Sequence, residues 1–415
     1  MALSLTRPAP AVAFWCVVAV FLVYALNLAL LSGDFERFAA RWLQRPGAGA
    51  TGHDLGCDTI NTCMRAGVTV LGEGLSTLFS GAAALLYMAP STSALLPSSP
   101  FGMPVPPADE QLFAVRVATF IVLRVICLLP VLWLAVYFWR EAWARIAYLT
   151  LAFLVMAGWP PPVIDVFFRA ASVIADWPLA YYLFSVRLIG YDFATLGFVH
   201  LLALYIARRG EMRLVEIAAL TALGQIMFEN NGIVAGVAVF AATFLEPAHA
   251  GTRLRLATQR LAVAAAVSVT LATAFAIAAS RTAAGAAGNG SGAVDMINDY
   301  FSTFWRDYGF YNFAWFNVTV ANIATMMTIP AVLGLGAGVI IGAVVRRDGP
   351  SRPRVPGDAR AALAVAVGFS VTVLIGLFIS GLSSEMGRQL LPLACMVLVA
   401  AMKGGEAALN RRGAS

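Results

Sequence analysis

The chain has 415 residues, of which 60% are hydrophobic and only 12% charged, and its mean hydropathy is +0.80. A soluble domain carries about 25% charged residues, so this composition excludes an ordinary soluble globular protein. The net charge of +6 does not indicate nucleic-acid binding, because Lys and Arg at the ends of membrane helices usually reflect topology. We predict an all-α, polytopic helical membrane protein that forms a single integral membrane domain over 1–415.

Apolar segments recur along the whole chain, and most approach the length of about 20 residues that a membrane span needs. The predicted spans lie at 11–32, 111–139, 147–166, 193–207, 214–228, 231–246, 259–280, 316–345, 361–382 and 388–409. Lys and Arg concentrate in alternate connectors, which the positive-inside rule assigns to the cytoplasm. We therefore predict a multi-pass protein of the cell (inner) membrane with ten crossings and both termini in the cytoplasm.

Two carboxylates, Asp34 and Glu36, directly follow the first span. They lie where a membrane helix emerges into water, and a helical pattern continues from Phe38 to Leu43. One interpretation is a solvated helix end, since acids are common at membrane boundaries. The other is a catalytic carboxylate, because a general base must stand within hydrogen-bond reach of a reacting hydroxyl.

The first extracytoplasmic loop is predicted to cover 33–110 and to carry interfacial helices. Residues 67–90 are apolar enough to cross, but a crossing there would invert the side of every later basic connector. The third extracytoplasmic loop, 281–315, ends in a dense run of aromatic residues. Those rings either anchor at the level of the lipid headgroups or stack on sugar rings.

Polar side chains of the first loop suggest two further features. Cys57 and Cys63 are candidates for a disulfide if the loop faces an oxidising compartment. His53, Asp54 and Asp58 could alternatively bind a divalent cation together with Asp34. No metal-ligand spacing specifies such a site, so we predict no firm cofactor and no assigned metal ligand.

A tight helix pair is predicted over 214–246. Each arm would be about 22 Å long at 1.5 Å per residue, which is short for a full crossing. The polar turn that joins the arms, with Glu229 and Asn230, would then lie below the outer surface and inside the protein. A carboxylate at that depth marks a candidate functional site; the alternative is a helix-breaking turn with Gly232 as its cap.

Arginines on the outer side are candidates for binding a phosphate. Arg388 begins the last span, where the helix dipole also favours an anion, and Glu385 precedes it as a further polar residue of the cavity. An Arg388–Glu385 surface pair or a headgroup contact is the alternative. Arg169 and Arg187, in the second outer segment from Trp159 to Asp192, are further candidates for the phosphate.

These residues suggest a reaction at the outer face of the membrane. No soluble nucleotide sugar or ATP is present there, so the energy must arrive attached to a lipid. A sugar linked to polyprenyl phosphate supplies both an anchor and a leaving group. Its transfer needs a carboxylate for the acceptor proton and a cation for the leaving phosphate, for which Asp34 and Arg388 are the candidates.

The layout resembles that of the GT-C type of membrane glycosyltransferases, in particular bacterial polyprenyl-phosphate mannosyltransferases. Asp34-Phe35 followed by Phe38-Ala39-Ala40 and Leu43 is similar to the motif after the first helix in that family, and Arg388, Leu391 and Pro392 are similar to its late Arg, Leu and Pro. The resemblance implies that Asp34 is the general base and that Arg388 contacts the donor phosphate. It also implies a polyprenyl-phosphate sugar donor and a lipid- or glycan-linked acceptor, with membrane lipids around the chain.

Other functions fit the same residues. A polysaccharide polymerase or ligase would also use lipid-linked saccharide, but we would expect a larger later loop, rich in Arg and His, than 281–315. A transporter or flippase of lipid-linked saccharide would be expected to show paired broken helices, and the sequence has one polar break, at Glu229 to Gly232, with no counterpart. A non-catalytic assembly subunit is the third alternative.

Overall fold

The structure is a computed structural model. It describes residues 12–20, 22–23, 75, 78, 110–157, 190–208, 212–228, 230–245, 250–287, 327–344, 355–380 and 386–411. Within these residues every regular secondary-structure element is a helix, and none is a strand. The predicted all-α class is therefore confirmed for the part of the chain that the structure describes.

The described helices follow the predicted apolar segments in order. They are α1 (residues 12–20), α2 (Glu110–Phe138), α3 (Ala142–Ala157), α4 (Gly190–Arg208), α5 (Leu214–Met227), α6 (Asn231–Phe244), α7 (Ala250–Ala287), α8 (Met327–Val344), α9 (Val355–Ser380) and α10 (Met386–Arg411). Several begin before the apolar segment or end after it, as α7 does at both ends of 259–280. Helical hydrogen bonding of the backbone continues past the apolar segment, so hydropathy alone predicts a helix that is too short.

Five of these helices are long and apolar enough to cross a membrane. Their crossing segments are Ile121–Phe138, Gly251–Phe275, Met327–Val344, Gly357–Leu374 and Leu391–Leu409. Large apolar side chains such as Trp133, Val269 and Val332 remain exposed on these helices, as expected for surfaces that face lipid. The remaining apolar helices are shorter, and the two arms α5 and α6 have 14 residues each, as predicted for the tight pair.

The core between the helices combines aromatic and aliphatic packing. The Trp139 and Tyr148 rings stack with their centroids 4.8 Å apart. The Tyr148 hydroxyl also lies 2.7 Å from Nε2 of His200, whose Nδ1 lies 2.6 Å from the Leu196 carbonyl. A carbonyl only accepts, so Nδ1 carries the proton, and Nε2 of the neutral ring accepts from Tyr148. This bond joins α3 to α4 and leaves both ring nitrogens satisfied.

Glycines allow the closest helix contacts. Gly334, Gly338 and Gly342, one turn apart on α8, lie against the backbone of α10 at Leu398, Met402 and Glu406 respectively. The residue numbers rise together, so α8 and α10 run parallel. Small residues with this spacing let membrane helices approach until their backbones touch.

Enlarging the side chain at Gly338 is expected to separate α8 from α10. A Cβ there would overlap the Met402 carbonyl, whereas Gly336 on the same helix has nothing within 4 Å of its Cβ position. We expect Gly338→Leu to lower the free energy of unfolding by about 1–3 kcal/mol or more, and Gly336→Leu to leave it nearly unchanged. Thermal unfolding of the detergent-purified variants checks this, and equal melting points would contradict the packing described.

Candidate functional site

At one end of the helix bundle, the basic side chains of Lys403 and Arg145 contact groups near the ends of neighbouring helices. We call this end the basic end. Nζ of Lys403 on α10 donates to the carbonyl of Phe138, the last residue of α2. The same Nζ lies 3.7 Å from the Asp358 carboxylate, near the start of α9. Nε of Arg145, near the start of α3, donates to the Trp139 carbonyl at 2.7 Å. The end of α2, the starts of α3 and α9 and the C-terminal part of α10 therefore meet here.

Helix α1 also starts at the basic end. The Arg145 guanidinium lies over the Phe14 ring, 5.8 Å from its centroid. Phe14 and Val18 are both about 5% exposed, and both belong to the core. Since Phe14 is close to Arg145, the described start of α1 lies near the basic end.

The opposite end of the bundle, which we call the far end, is where α10 begins. Arg388 lies in the first turn of this helix, Met386–Arg411, as predicted. At 1.5 Å per residue it stands about 22 Å along the axis from Lys403. Helix α2, with 29 residues, is about 43 Å long, so its first residue, Glu110, also belongs to the far end.

Most of the predicted site residues lie outside the described residues. These are Asp34, Glu36, Cys57, Cys63, Arg169, Arg187, Glu229 and Glu385. The catalytic, phosphate-binding and disulfide predictions made for them stay predictions. The divalent-cation alternative falls on the same undescribed loop, and the described residues contain no group of three or more His, Cys, Asp or Glu side chains that could hold a metal.

The turn of the tight helix pair is described at Asn230, which is half-buried and precedes α6. Its side chain makes no capping hydrogen bond, while its carbonyl accepts from the Val234 amide at 3.1 Å. Asn231, the first residue of α6, is fully buried, and neither polar atom of its side chain has a hydrogen-bond partner. The turn therefore carries polar groups below the surface of the described bundle.

Two buried amides at this turn were not predicted as site residues. Gln225, in the last turn of α5, is 4% exposed, and its Oε1 has no hydrogen-bond partner. Gln225 Oε1 and Ser268 Oγ of α7 both lie within 2.5 Å of the place that a Cβ on Gly232 would occupy. An uncharged amide within an apolar segment was the available signal, and the sequence prediction had weighed only the charged Glu229 and its neighbour.

The ionic cluster at the basic end is the most strongly charged buried feature that the structure describes. Lys403 is 2% exposed, and its Nζ lies 3.0 Å from Glu406 and 4.9 Å from the centroid of the Trp139 ring. A buried ammonium is tolerated only with such partners. A cavity of about 470 Å³ adjoins the cluster, lined by Tyr137, Ala207, Arg208, Gly357 and Asp358.

Arg124 is a charged residue inside the predicted span 111–139, and the sequence therefore predicts that it faces the bundle interior. It lies within the crossing segment of α2 and is 4% exposed. A charged residue in a span is expected to face the bundle interior, and its burial agrees with that expectation. Arg124 lies 14 residues, or about 21 Å, along α2 from Phe138, so it stands away from the basic end.

The described residues thus define a class: a helical protein with five helices long and apolar enough to cross a membrane, an ionic cluster at the basic end and polar groups buried at a helix turn. No family model, curated protein or solved structure matches this chain. The resemblance to GT-C glycosyltransferases therefore rests on the motifs in the sequence.

Proposed function

We propose that this chain is a membrane glycosyltransferase, which moves a sugar from a polyprenyl-phosphate donor to a lipid- or glycan-linked acceptor hydroxyl at the extracytoplasmic face. The observation that carries the proposal is that the start of α1 and the C-terminal part of α10 lie at the same end of the bundle. Helix α1 starts at the basic end, beside Arg145, and the C-terminal part of α10 returns to it at Lys403. A crossing of the predicted first span, 11–32, would bring the segment that follows it to the far end, where α10 begins.

Asp34 and Arg388 are the two groups that this arrangement would bring to one face. In the proposed reaction the Asp34 carboxylate accepts the proton of the acceptor hydroxyl. The hydroxyl oxygen forms a bond to the anomeric carbon while the bond from that carbon to the phosphate oxygen breaks. The polyprenyl phosphate leaves with the negative charge, which Arg388 and the N-terminus of α10 stabilise.

The other predicted polar residues receive supporting roles in this proposal. Glu36 is the alternative base, and Arg169 and Arg187 are additional contacts for the donor phosphate. Glu229, Asn230 and Glu385 line the cavity that admits the saccharide. The basic connectors face the cytoplasm of the inner membrane, as do both termini.

Glycolipid analysis tests the proposed class. In a strain that lacks this chain, mass spectrometry is expected to show an acceptor one sugar shorter than in the parent, together with accumulated polyprenyl-phosphate sugar. Complementation with the wild-type chain should restore the full-length product. An unchanged glycolipid profile would overturn the proposal.

A transporter of lipid-linked saccharide is the second candidate, and the short α5–α6 pair with its buried polar turn favours it. The same mass spectrometry separates the two. Loss of a transporter leaves the saccharide lipid at its full mass, because no bond is made or broken, whereas loss of a transferase shortens it.

A further inference from the structure

The cavity at the basic end lies between the ends of three helices. Its lining residues are Tyr137 near the end of α2, Ala207 and Arg208 at the end of α4, and Gly357 and Asp358 near the start of α9. Its volume of about 470 Å³ falls within the range of roughly 300–1,000 Å³ that is typical of small-molecule sites. We call it the basic-end cavity.

The basic-end cavity lies at the level of the lipid head groups. The crossing segment of α2 ends at Phe138, directly after Tyr137, and the crossing segment of α9 begins at Gly357. On both helices the hydrocarbon region therefore ends at the cavity, and the head-group region begins there. Tyrosine is enriched at this boundary. A lipid beside the bundle can place its head group in the cavity while its acyl chains stay in the hydrocarbon.

Two side chains of opposite charge line the cavity at different depths. Arg208 is exposed, so its guanidinium lies on the open side, from which a ligand can enter. Asp358 is 4% exposed and therefore belongs to the inner wall. The cavity thus offers a cation at its entrance and a carboxylate further inside.

The Asp358 carboxylate has capacity for a further donor. Nζ of Lys403 lies 3.0 Å from Oε2 of Glu406 but 3.7 Å from Oδ2 of Asp358. The longer distance is an ion pair and not a hydrogen bond, and a carboxylate offers about four acceptor sites. One ammonium also stands against two carboxylates, so these three residues carry an excess negative charge. A second cationic donor that enters the cavity would be stabilised beside Asp358.

The end of α4 adds to this preference for a cation. The last carbonyls of a helix have no partner within the helix and carry a partial negative charge. Ala207 and Arg208 belong to the last turn of α4 and line the cavity. The N-terminus of α9 has the opposite polarity, but Asp358 in its first turn already supplies the anion that it favours.

These charges select a ligand that carries both a phosphate and a primary ammonium. A guanidinium binds phosphate oxygens through charge-assisted hydrogen bonds. A phosphate alone would add negative charge near Asp358, and an amine alone would leave Arg208 without an anion in the cavity. In a phosphoethanolamine head group a short ethylene linker joins the phosphate to the ammonium, so one small group supplies both charges.

We propose that the basic-end cavity binds the head group of an amine-bearing phospholipid such as phosphatidylethanolamine. The Arg208 guanidinium binds its phosphate, and the Asp358 carboxylate accepts from its ammonium. The acyl chains lie along the crossing segments of the bundle. This inference is independent of the proposed function, because none of these lining residues takes part in the proposed sugar transfer.

Lipid binding to the delipidated full-length chain tests the site. Phosphatidylethanolamine is titrated into the detergent-purified protein, with phosphatidylcholine and phosphatidylglycerol of the same acyl chains for comparison. Phosphatidylcholine keeps both charges but cannot donate a hydrogen bond from its ammonium, and phosphatidylglycerol keeps only the phosphate. A ligand that binds only the folded state raises the melting temperature. We expect phosphatidylethanolamine to do so with an apparent Kd roughly tenfold below the other two, the effect of one charge-assisted hydrogen bond.

Charge variants connect that binding to the cavity. Arg208→Gln is expected to raise the apparent Kd for phosphatidylethanolamine roughly tenfold. Arg140→Gln is the matched control and should bind as the wild type does, because Arg140 is exposed near the same end but does not line the cavity. Asp358→Asn should remove the preference for phosphatidylethanolamine over phosphatidylglycerol. That preference is measured within one variant, so a loss of stability alone does not change it.

A variant that fills the cavity tests the site without removing a charge. Nothing lies within 4 Å of the place that a Cβ on Gly357 would occupy, so Gly357→Leu adds a side chain in open space next to Asp358 and should leave the fold intact. Gly251→Leu is the matched control, because Gly251 also lies in the first turn of a helix with open space at its Cβ position and does not line the cavity. We expect Gly357→Leu to lose the lipid-dependent rise in melting temperature and Gly251→Leu to retain it.

Three results would overturn the inference. They are equal Kd values for the three lipids, Arg208→Gln and Gly357→Leu binding as tightly as their controls, and water-soluble phosphoethanolamine binding as tightly as the lipid. The last result would assign the cavity to a soluble compound with the same head group. A preference for phosphatidylethanolamine that depends on Arg208, Asp358 and the space beside Gly357 supports the inference, whatever glycolipid analysis shows about sugar transfer.

Discussion

Asp34→Asn is expected to lower the rate of sugar transfer by about 10²–10⁴-fold, which is the usual contribution of a general base. Asn has nearly the same shape as Asp but cannot accept the proton of the acceptor hydroxyl. Donor binding should remain, because the phosphate contact is proposed for Arg388 at the start of α10. The measurement is the glycolipid profile of the deletion strain that carries this variant, with binding of the polyprenyl-phosphate sugar measured on purified protein.

The matched control for this prediction is Asp109→Asn. Asp109 lies in the same predicted extracytoplasmic loop, 33–110, but directly before α2. It should retain full transfer. If Asp34→Asn also transfers normally, the role proposed for Asp34 is wrong, and Glu36→Gln becomes the next variant to measure.

Lys403→Met is expected to lower the free energy of unfolding by about 3–5 kcal/mol, the usual result of removing one partner from a buried ionic group. Lys403 is 2% exposed and stands against two carboxylates, Asp358 at 3.7 Å and Glu406 at 3.0 Å. Without the ammonium, those carboxylates remain buried but lose its favourable electrostatic interaction. The Phe138 carbonyl also loses its hydrogen-bond donor. Thermal and denaturant unfolding in detergent measure the effect.

Two further variants separate charge from packing at Lys403. Adding Glu406→Gln and Asp358→Asn to Lys403→Met should recover part of the lost stability, because no unmatched charge then remains between these three residues. Arg140→Met, at an exposed position near the same end, should change stability little. If Lys403→Met is as stable as Arg140→Met, the ionic cluster does not hold the basic end together.

The sequence predicted the helices because apolar surface buried in lipid is what drives them to form, and that surface comes from residues close together in the chain. It also predicted that the arms α5 and α6 are short and that Arg124 is buried, as the structure confirms. Both predictions follow from segment length and from the cost of a charge in hydrocarbon.

The ionic cluster could not be predicted in the same way. From the sequence, Lys403 belongs to the basic tail that follows the last span, where positive charge reflects topology. In the structure it is buried against Phe138 and Asp358, which are distant in the chain. The burial of Gln225 was missed for a related reason, since only the packing of α7 against the α5–α6 pair brings Ser268 close to it.

The most direct test of the proposed enzyme is whether residues 34 and 388 share one face and one cavity. The starting variant has its five cysteines replaced by serine. Asp34→Cys and Arg388→Cys are then introduced singly, to give one labelling site, or together, to give two. We expect a membrane-impermeant maleimide to label both from the extracytoplasmic side, and a short bifunctional maleimide to cross-link the pair. Labelling of the two positions from opposite sides of the membrane would contradict the proposed enzyme.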